Sequence, residues 1–239
     1  DAIAAVAAES VAIANEALGL IEVEYEELPI LDEIEKALSP DAPRLHPKGN
    51  IAHRSFYQIG NVKKGFEDCS VIVEETYELP MQLHGYIETE GGVIVPEENG
   101  GITVYAGTQH GFKDRFQLSR ILAIPENDIR IISSPMGGSF GGKDELNIQP
   151  YAALLALKTG KPVKIHNTRK ESIRASIKNH PMTITMKTGA DETGKLLAHE
   201  VRILADTGAY ATLGPAVLDF TVEHATGPYI IPNVDIDSQ

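Results

Sequence analysis

Residues Met136–Asp144 read Met-Gly-Gly-Ser-Phe-Gly-Gly-Lys-Asp, and their types and spacing suit a close backbone approach to a ligand. Glycine admits positive φ and carries no Cβ to block a bound group, while one large aromatic side chain, Phe140, stays fixed among the four glycines. N–H groups exposed in such a loop form a concave site for an anion or a polarised oxygen. Ordinary turns also contain glycine runs, so composition alone leaves a plain turn open. The spacing Gly137-x-x-x-x-Gly142-Lys143 matches a nucleotide-binding P-loop as well. That reading meets Asp144 where a serine or threonine hydroxyl is needed for magnesium. A carboxylate about 4 Å from a phosphate charge would cost about 4 kcal/mol at an effective dielectric near 20. Phe140 would also crowd a phosphate.

Elements that must position this loop are legible around it. The strand-like Ile129–Ser133 precedes it, and an apolar, helix-like stretch follows from about Glu145 to Lys158. Further upstream, Val93–Val95 and Ile102–Ala106 suggest a hairpin around Glu97–Gly101, and Phe112–Leu122 has helical spacing that ends before Pro125. Pro162–His166, Thr183–Thr188, Leu196–Leu204 and Asn233–Ile236 read as strands. In the first third, Ala2–Ala8 suggests a buried strand, Ser10 caps a helix that stops at Gly19, and Leu20–Glu27 alternates like a half-buried strand. Asp32–Leu38 is a short helix, and the prolines, Gly49 and Asn50 between Ser39 and Arg54 mark a linker. A strand at Phe56–Ile59, a helical turn at Val62–Glu67 and a strand at Ser70–Leu79 follow. The pattern is a mixed α+β fold without repeats.

Composition excludes several classes. Of 239 residues, 42% are hydrophobic and 23% charged, which is ordinary for a folded domain of this size. A net charge of −13 repels phosphate backbones, so nucleic acid is not an expected partner. The one cysteine, Cys69, excludes an internal disulfide, fits a reducing, cytoplasmic compartment, and reads as buried filler in a strand. No apolar run reaches the ~20 residues that span a bilayer. His84 and Glu88 are four apart, as metal ligands can be, but packing or hydrogen bonding near the loop is the expectation, and no protein-ligated metal is expected. Asp144 is open to two roles, a helix N-cap or a ligand contact.

From about Gln82 to Gln239 the chain resembles the molybdenum-binding subunit of the xanthine dehydrogenase and aldehyde oxidase family. The pieces are Gln82-Leu83-His84-Gly85-Tyr86-Ile87-Glu88-Thr89, Gly107-Thr108-Gln109, Met136–Asp144, Ala152–Leu157, Thr159-Gly160-Lys161-Pro162-Val163 and Arg169-Lys170-Glu171-Ser172. Residues 1–54 resemble the later part of a truncated α/β-hammerhead domain with its linker, and 55–239 the first part of the molybdopterin-binding domain. The resemblance implies a molybdenum–molybdopterin cofactor in cytosine dinucleotide form, which hydroxylates an electron-poor carbon with oxygen from water. It also implies FAD and 2Fe-2S clusters on partner subunits or domains, and a purine-like substrate.

By the same resemblance Gln109, Gly138, Phe140 and Gly141 contact the cofactor, Gln109 through an apical oxygen, while Phe140 and Asp144 face the substrate. The family's catalytic base would lie beyond Gln239, so no catalytic residue is expected within 1–239, and this segment alone is expected to hold no molybdenum. The remnant's unpaired strand edges would favour an oligomer.

Overall fold

A computed structural model describes residues 2–239. Along the chain lie α1 (Val11–Leu18), α2 (Ile34–Leu38), β1 (Ser55–Ile59), α3 (Val62–Glu67), β2 (Val71–Leu79), β3 (Gly91–Pro96), β4 (Ile102–Ala106) and α4 (Gly111–Leu122). Then come β5 (Ile129–Ser133), α5 (Gln149–Thr159), β6 (Val163–His166), α6 (Arg169–Ala175), β7 (Met182–Ala190), β8 (Leu196–Ala205), α7 (Gly214–His224) and β9 (Asn233–Ser238). The fold is α+β, and the chain divides into two compact units that interleave in sequence. One joins the stretch up to Tyr25 with Leu83–Asn179, and the other joins Glu26–Gln82 with His180–Gln239.

The first unit is built on a four-stranded sheet in the order β5-β4-β3-β6. The 93–95 and 102–106 hairpin forms as its sequence predicts, with Ile94 opposite Val104. β5 returns parallel to β4, placing Ala106 beside Ser133, so both strands end on the same side of the sheet. Ile94, Ile102 and Val104 pack against Leu118 of α4 and against Ala152, Ala153 and Ala156 of α5. Alanines along α5 let the helix sit close to the sheet, where larger side chains would overpack.

In the second unit five strands run β1-β9-β8-β7-β2, all antiparallel neighbours except the parallel pair β8 and β9. Val201, Ile203, Val234 and Ile236 from the sheet meet Leu218 and Val222 from α7. This unit also encloses a cavity of about 200 Å³ lined by Ile34, Leu38, Met182 and Leu218 among others, and it includes no residue of the glycine loop.

Several local expectations are corrected. Ala2–Ala8 and Leu20–Glu27 form no strand and are mostly exposed. An apolar run in the first and an alternation in the second suit a strand, but no described segment pairs with them, and an unpaired strand has no ladder to hold it. The helix after the glycine loop starts at Gln149, not near Glu145, because Pro150 fits only in a first turn. Cys69 follows the cap of α3 rather than lying in a strand; it is half-buried and its thiol donates to the Gly65 carbonyl at 3.1 Å. Burial, then the neighbouring Asp68 and Asp191, push that thiol's pKa up, which disfavours the nucleophilic thiolate. Helices α6 and α7 were not anticipated, although Thr168 and Glu171 form a reciprocal capping box that opens α6.

Ile94 is fully buried between the sheet and its helices, so Ile94→Ala should lower the stability of the first unit by about 2–5 kcal/mol, read from urea denaturation.

Candidate functional site

Because β4 and β5 are parallel neighbours, the turn after β4 and the long loop after β5 leave the sheet on one side. Gln109 lies in the first and Met136–Asp144 in the second. Two hydrogen bonds lock the turns together: Gln109 N–H donates to the Lys143 carbonyl at 3.1 Å, and Lys143 N–H donates to Gln109 Oε1 at 3.3 Å. With its oxygen engaged, the exposed Gln109 carboxamide offers its NH₂ to a ligand.

The glycine loop itself is held at its ends. Glu88 Oε2 accepts from Gly137 N–H at 3.0 Å and from the Lys143 ammonium at 2.7 Å, while Glu88 N–H donates to the Gly137 carbonyl at 3.2 Å. Gly142 N–H donates to the Ser139 carbonyl at 2.8 Å and Asp144 N–H to that of Gly141 at 3.2 Å. Among the described residues these bonds employ the amides of Gly137, Gly142, Lys143 and Asp144, and those of residues 138–141 take part in none of them. Gly138 and Gly141 both sit at φ 95°, and Phe140 between them at φ 52°. A left-handed conformation disfavours an L-residue by about 1–2 kcal/mol, and the Phe140 ring is also 75% exposed.

Under the loop, Tyr86 leaves no room for side chains: a Cβ on Gly142 would fall 2.3 Å from its ring. His84 packs against Gly141 and Gly142. Lys143 is only 3% exposed and its ammonium lies 5.0 Å from the Tyr86 ring centroid. This lysine is therefore committed to Glu88 and to the tyrosine face, which removes the P-loop reading: no ammonium is left to meet a phosphate. Asp144 is not a helix cap, since α5 is capped at Ile148. Its Oδ1 instead lies 2.6 Å from His110 Nε2, a close contact without hydrogen-bond alignment. The structure thus brings Gln109, Gly138, Phe140, Gly141 and Asp144 around one loop. His84 and Glu88 pack and hydrogen-bond against the loop as expected, whereas Tyr86 and Lys143 were missed as its supports. Among the described residues no group of three or more histidines, cysteines or carboxylates could hold a metal ion.

Such a site defines an α+β domain with main-chain and carboxamide donors left unbonded, among the described residues, at the tip of a glycine loop. The family model of the molybdopterin cofactor-binding domain matches residues 45–239, and the chain belongs to that family. It is 71% identical over 234 residues to a probable xanthine dehydrogenase subunit of Bacillus subtilis, covering 98% of this chain and 31% of that protein. Against the nicotinate dehydrogenase large molybdopterin subunit of Eubacterium barkeri the identity is 42% over 239 residues, covering 100% and 56%. Among solved structures, quinoline 2-oxidoreductase from Pseudomonas putida superposes with a TM-score of 0.86 at 29% identity, covering 97% of this chain and 30% of that one. Aldehyde oxidoreductase from Desulfovibrio gigas superposes at 0.92 and 24% identity, covering 97% and 26%, a likeness of fold. The chain thus spans less than two thirds of the relatives it matches.

The Lys143 ammonium, followed by Gly137 N–H, holds the Glu88 carboxyl below its ordinary pKa. A carboxylate depressed in the folded state stabilises above its unfolded pKa, about 4.3, and that contribution is lost as pH falls through the folded value. Glu88→Gln should therefore destabilise at pH 7 by about 1–2 kcal/mol, a small figure for a pair with one buried partner because Glu88 is itself partly exposed. The gap from wild type should close below about pH 4 in denaturation curves taken across pH.

Proposed function

We propose that this chain forms one wall of the active site of a molybdenum hydroxylase of the xanthine dehydrogenase type, acting on a purine or related heteroaromatic ring. The observation that carries the reading is the pairing of unclaimed donors, Gln109 NH₂ and the amides of residues 138–141, on a loop whose ends are pinned. Those donors suit an oxygen-bearing anionic group, and the glycines clear space for it: a Cβ on Gly138 would stand 3.2 Å from the Phe140 ring. When bound, the molybdenum–molybdopterin group supplies oxygen transfer to the substrate and accepts its two electrons. This chain's residues hold and orient. Gln109 and the Gly141 amide donate hydrogen bonds to the cofactor's oxygen, Gly138 admits it, and the exposed Phe140 ring forms a flat wall along which an aromatic substrate lies. Asp144, steadied by His110, reaches the substrate's polar edge. Donors fixed in advance where charge develops are a main source of rate enhancement.

The finer assignments belong to the same proposal. The cofactor takes the cytosine dinucleotide form, electrons pass to 2Fe-2S and FAD on partner subunits or domains, and the enzyme is a cytoplasmic oligomer. No helix among the described residues is long and apolar enough to cross a membrane. Exposed apolar residues on the edge strand β2, including Val71, Val73, Tyr77 and Leu79, are suited to a covering partner. The catalytic base belongs to a segment beyond 239. We keep the division into a hammerhead-like part, 1–54, and the start of the molybdopterin-binding domain, 55–239; the family match beginning at residue 45 supports a border nearby. A second reading, oxidation of nicotinate-like rings or aldehydes on the same site, is favoured by the 42% identical nicotinate dehydrogenase subunit.

The full-length protein with its partners should oxidise hypoxanthine in preference to nicotinate or benzaldehyde. Gln109→Ala should reduce kcat about 10²-fold, the loss typical of one removed oxyanion donor, while molybdenum content stays at the wild-type level. Nicotinate preferred over hypoxanthine would favour the second reading, and wild-type turnover in Gln109→Ala would refute the role of the carboxamide.

A further inference from the structure

Beneath the glycine loop lies a buried carboxylate that the proposed chemistry does not use. Glu90 is 3% exposed and Tyr86 1%. The Tyr86 hydroxyl donates to Glu90 Oε1, Ser172 Oγ donates to the same oxygen at 3.2 Å, and Asn167 Nδ2 donates to Oε2 at 3.1 Å. Asn167 N–H also donates to the Glu90 carbonyl at 2.8 Å, and Thr89 Oγ1 to the Asn167 carbonyl at 2.6 Å. The cluster thus ties α6, the turn after β6 and the 86–90 segment into one network.

Burial by itself would raise the Glu90 pKa, yet the donors from Tyr86, its own backbone N–H, Asn167 and Ser172 outweigh it and hold the group below its ordinary value. No cation makes a direct ion pair with Glu90 among the described residues; Lys178 feels its charge only through space. A buried anion held by hydrogen bonds without a direct ion pair adds little to stability, because an apolar side chain of similar size would serve as well or better.

What the carboxylate does achieve is to fix a ring. Tyr86 has one polar side-chain atom; its hydroxyl donates to Glu90, with the Ser172 and Ser176 hydroxyls beside it. With the hydroxyl anchored, the ring cannot slide along its plane; a Cβ on Gly142 would fall 2.3 Å from the ring's Cε1, and one on Gly138 would fall 3.4 Å from the Tyr86 Cβ. Lys143 lies over the same ring. We propose that Glu90 and Tyr86 are positioning residues for the glycine loop: the buried carboxylate sets the tyrosine ring as the floor that determines where the amides of residues 138–141 point. The consequence for turnover rests on the function proposed above; the consequence for loop order does not.

The test uses the full-length protein, with hydrogen–deuterium exchange of peptides spanning 136–144 and separate kcat and KM values. Tyr86→Phe keeps the ring and removes only the anchor. It should speed exchange of the hydrogen-bonded amides of Gly137, Gly142, Lys143 and Asp144 about tenfold and lower kcat about tenfold with KM changed less than about twofold, the scale of one hydrogen bond to a charged group. Glu90→Gln should act in the same direction. Ile94→Ala serves as a control that weakens the same unit through its core, and its faster exchange should spread over the sheet. Unchanged loop exchange in Tyr86→Phe, or a rise spread across the unit as in the control, would overturn the proposal. Should the wild-type protein prove to lack molybdenum, the function proposed above falls, but the exchange measurement still decides this one.

Discussion

Glu88 Oε2 receives two donors that lie six residues apart, the Gly137 amide and the Lys143 ammonium, and so closes the glycine loop at its neck. The geometry of the whole site depends on that closure. A glycine-rich segment has more backbone freedom to lose than any other, so it takes one conformation only where its ends are firmly fixed. With both ends joined to one carboxylate, the residues between them adopt left-handed backbone without a hydrogen-bond ladder of their own. The division of labour follows: polar groups at the neck are satisfied within the chain, and those at the tip are left for a ligand.

A single short segment supplies that support. His84 packs against Gly141 and Gly142, Tyr86 lies under Gly138 and Gly142, and Glu88 grips Gly137 and Lys143. The Gln109 turn adds a fourth hold on the Lys143 backbone. Lys143 is central to all of these and is almost wholly buried, which explains why its charge needs both a carboxylate and a tyrosine face. Lysine in this place is a structural cation.

Much of the fold could be read from residue order, because its strands carry strong local patterns. The β3–β4 hairpin, the Ser10 cap and β7 and β8 all rest on signals a few residues long. Ala2–Ala8 and Leu20–Glu27 carry the same kind of signal, yet they stay irregular, since pairing is decided by a partner and not by the strand itself. Within the site, the glycine loop, Gln109 and the approach of His84 and Glu88 to the loop were legible; the particular partners that hold it were not. Glu88 meets residues 49 and 55 positions away, and Glu90 meets Asn167 and Ser172, 77 and 82 positions away. No local pattern encodes such distances. The spacing of His84 and Glu88 invited treatment as a pair, whereas the structure gives each its own portion of the loop.

Phe140 departs furthest from what stability alone would select. Its backbone is left-handed, which glycine would adopt freely, and its ring stands in solvent, which an aromatic avoids. Glu90, buried without a direct ion pair among the described residues, is a second departure only a few side chains away. Local choices in a folding sequence normally agree with one another, and exceptions gather where a site must be held in a particular shape. Both exceptions here bear on the same four amides: Glu90 acts from below through Tyr86, and Phe140 acts from above by closing the tip between Gly138 and Gly141. A plain turn would need neither, since glycine at 140 and an apolar residue at 90 would give a more relaxed chain with the same connection. On the proposed function, the strain at the tip and the anion at the floor are explained together by a loop whose amides face a bound group in one fixed direction.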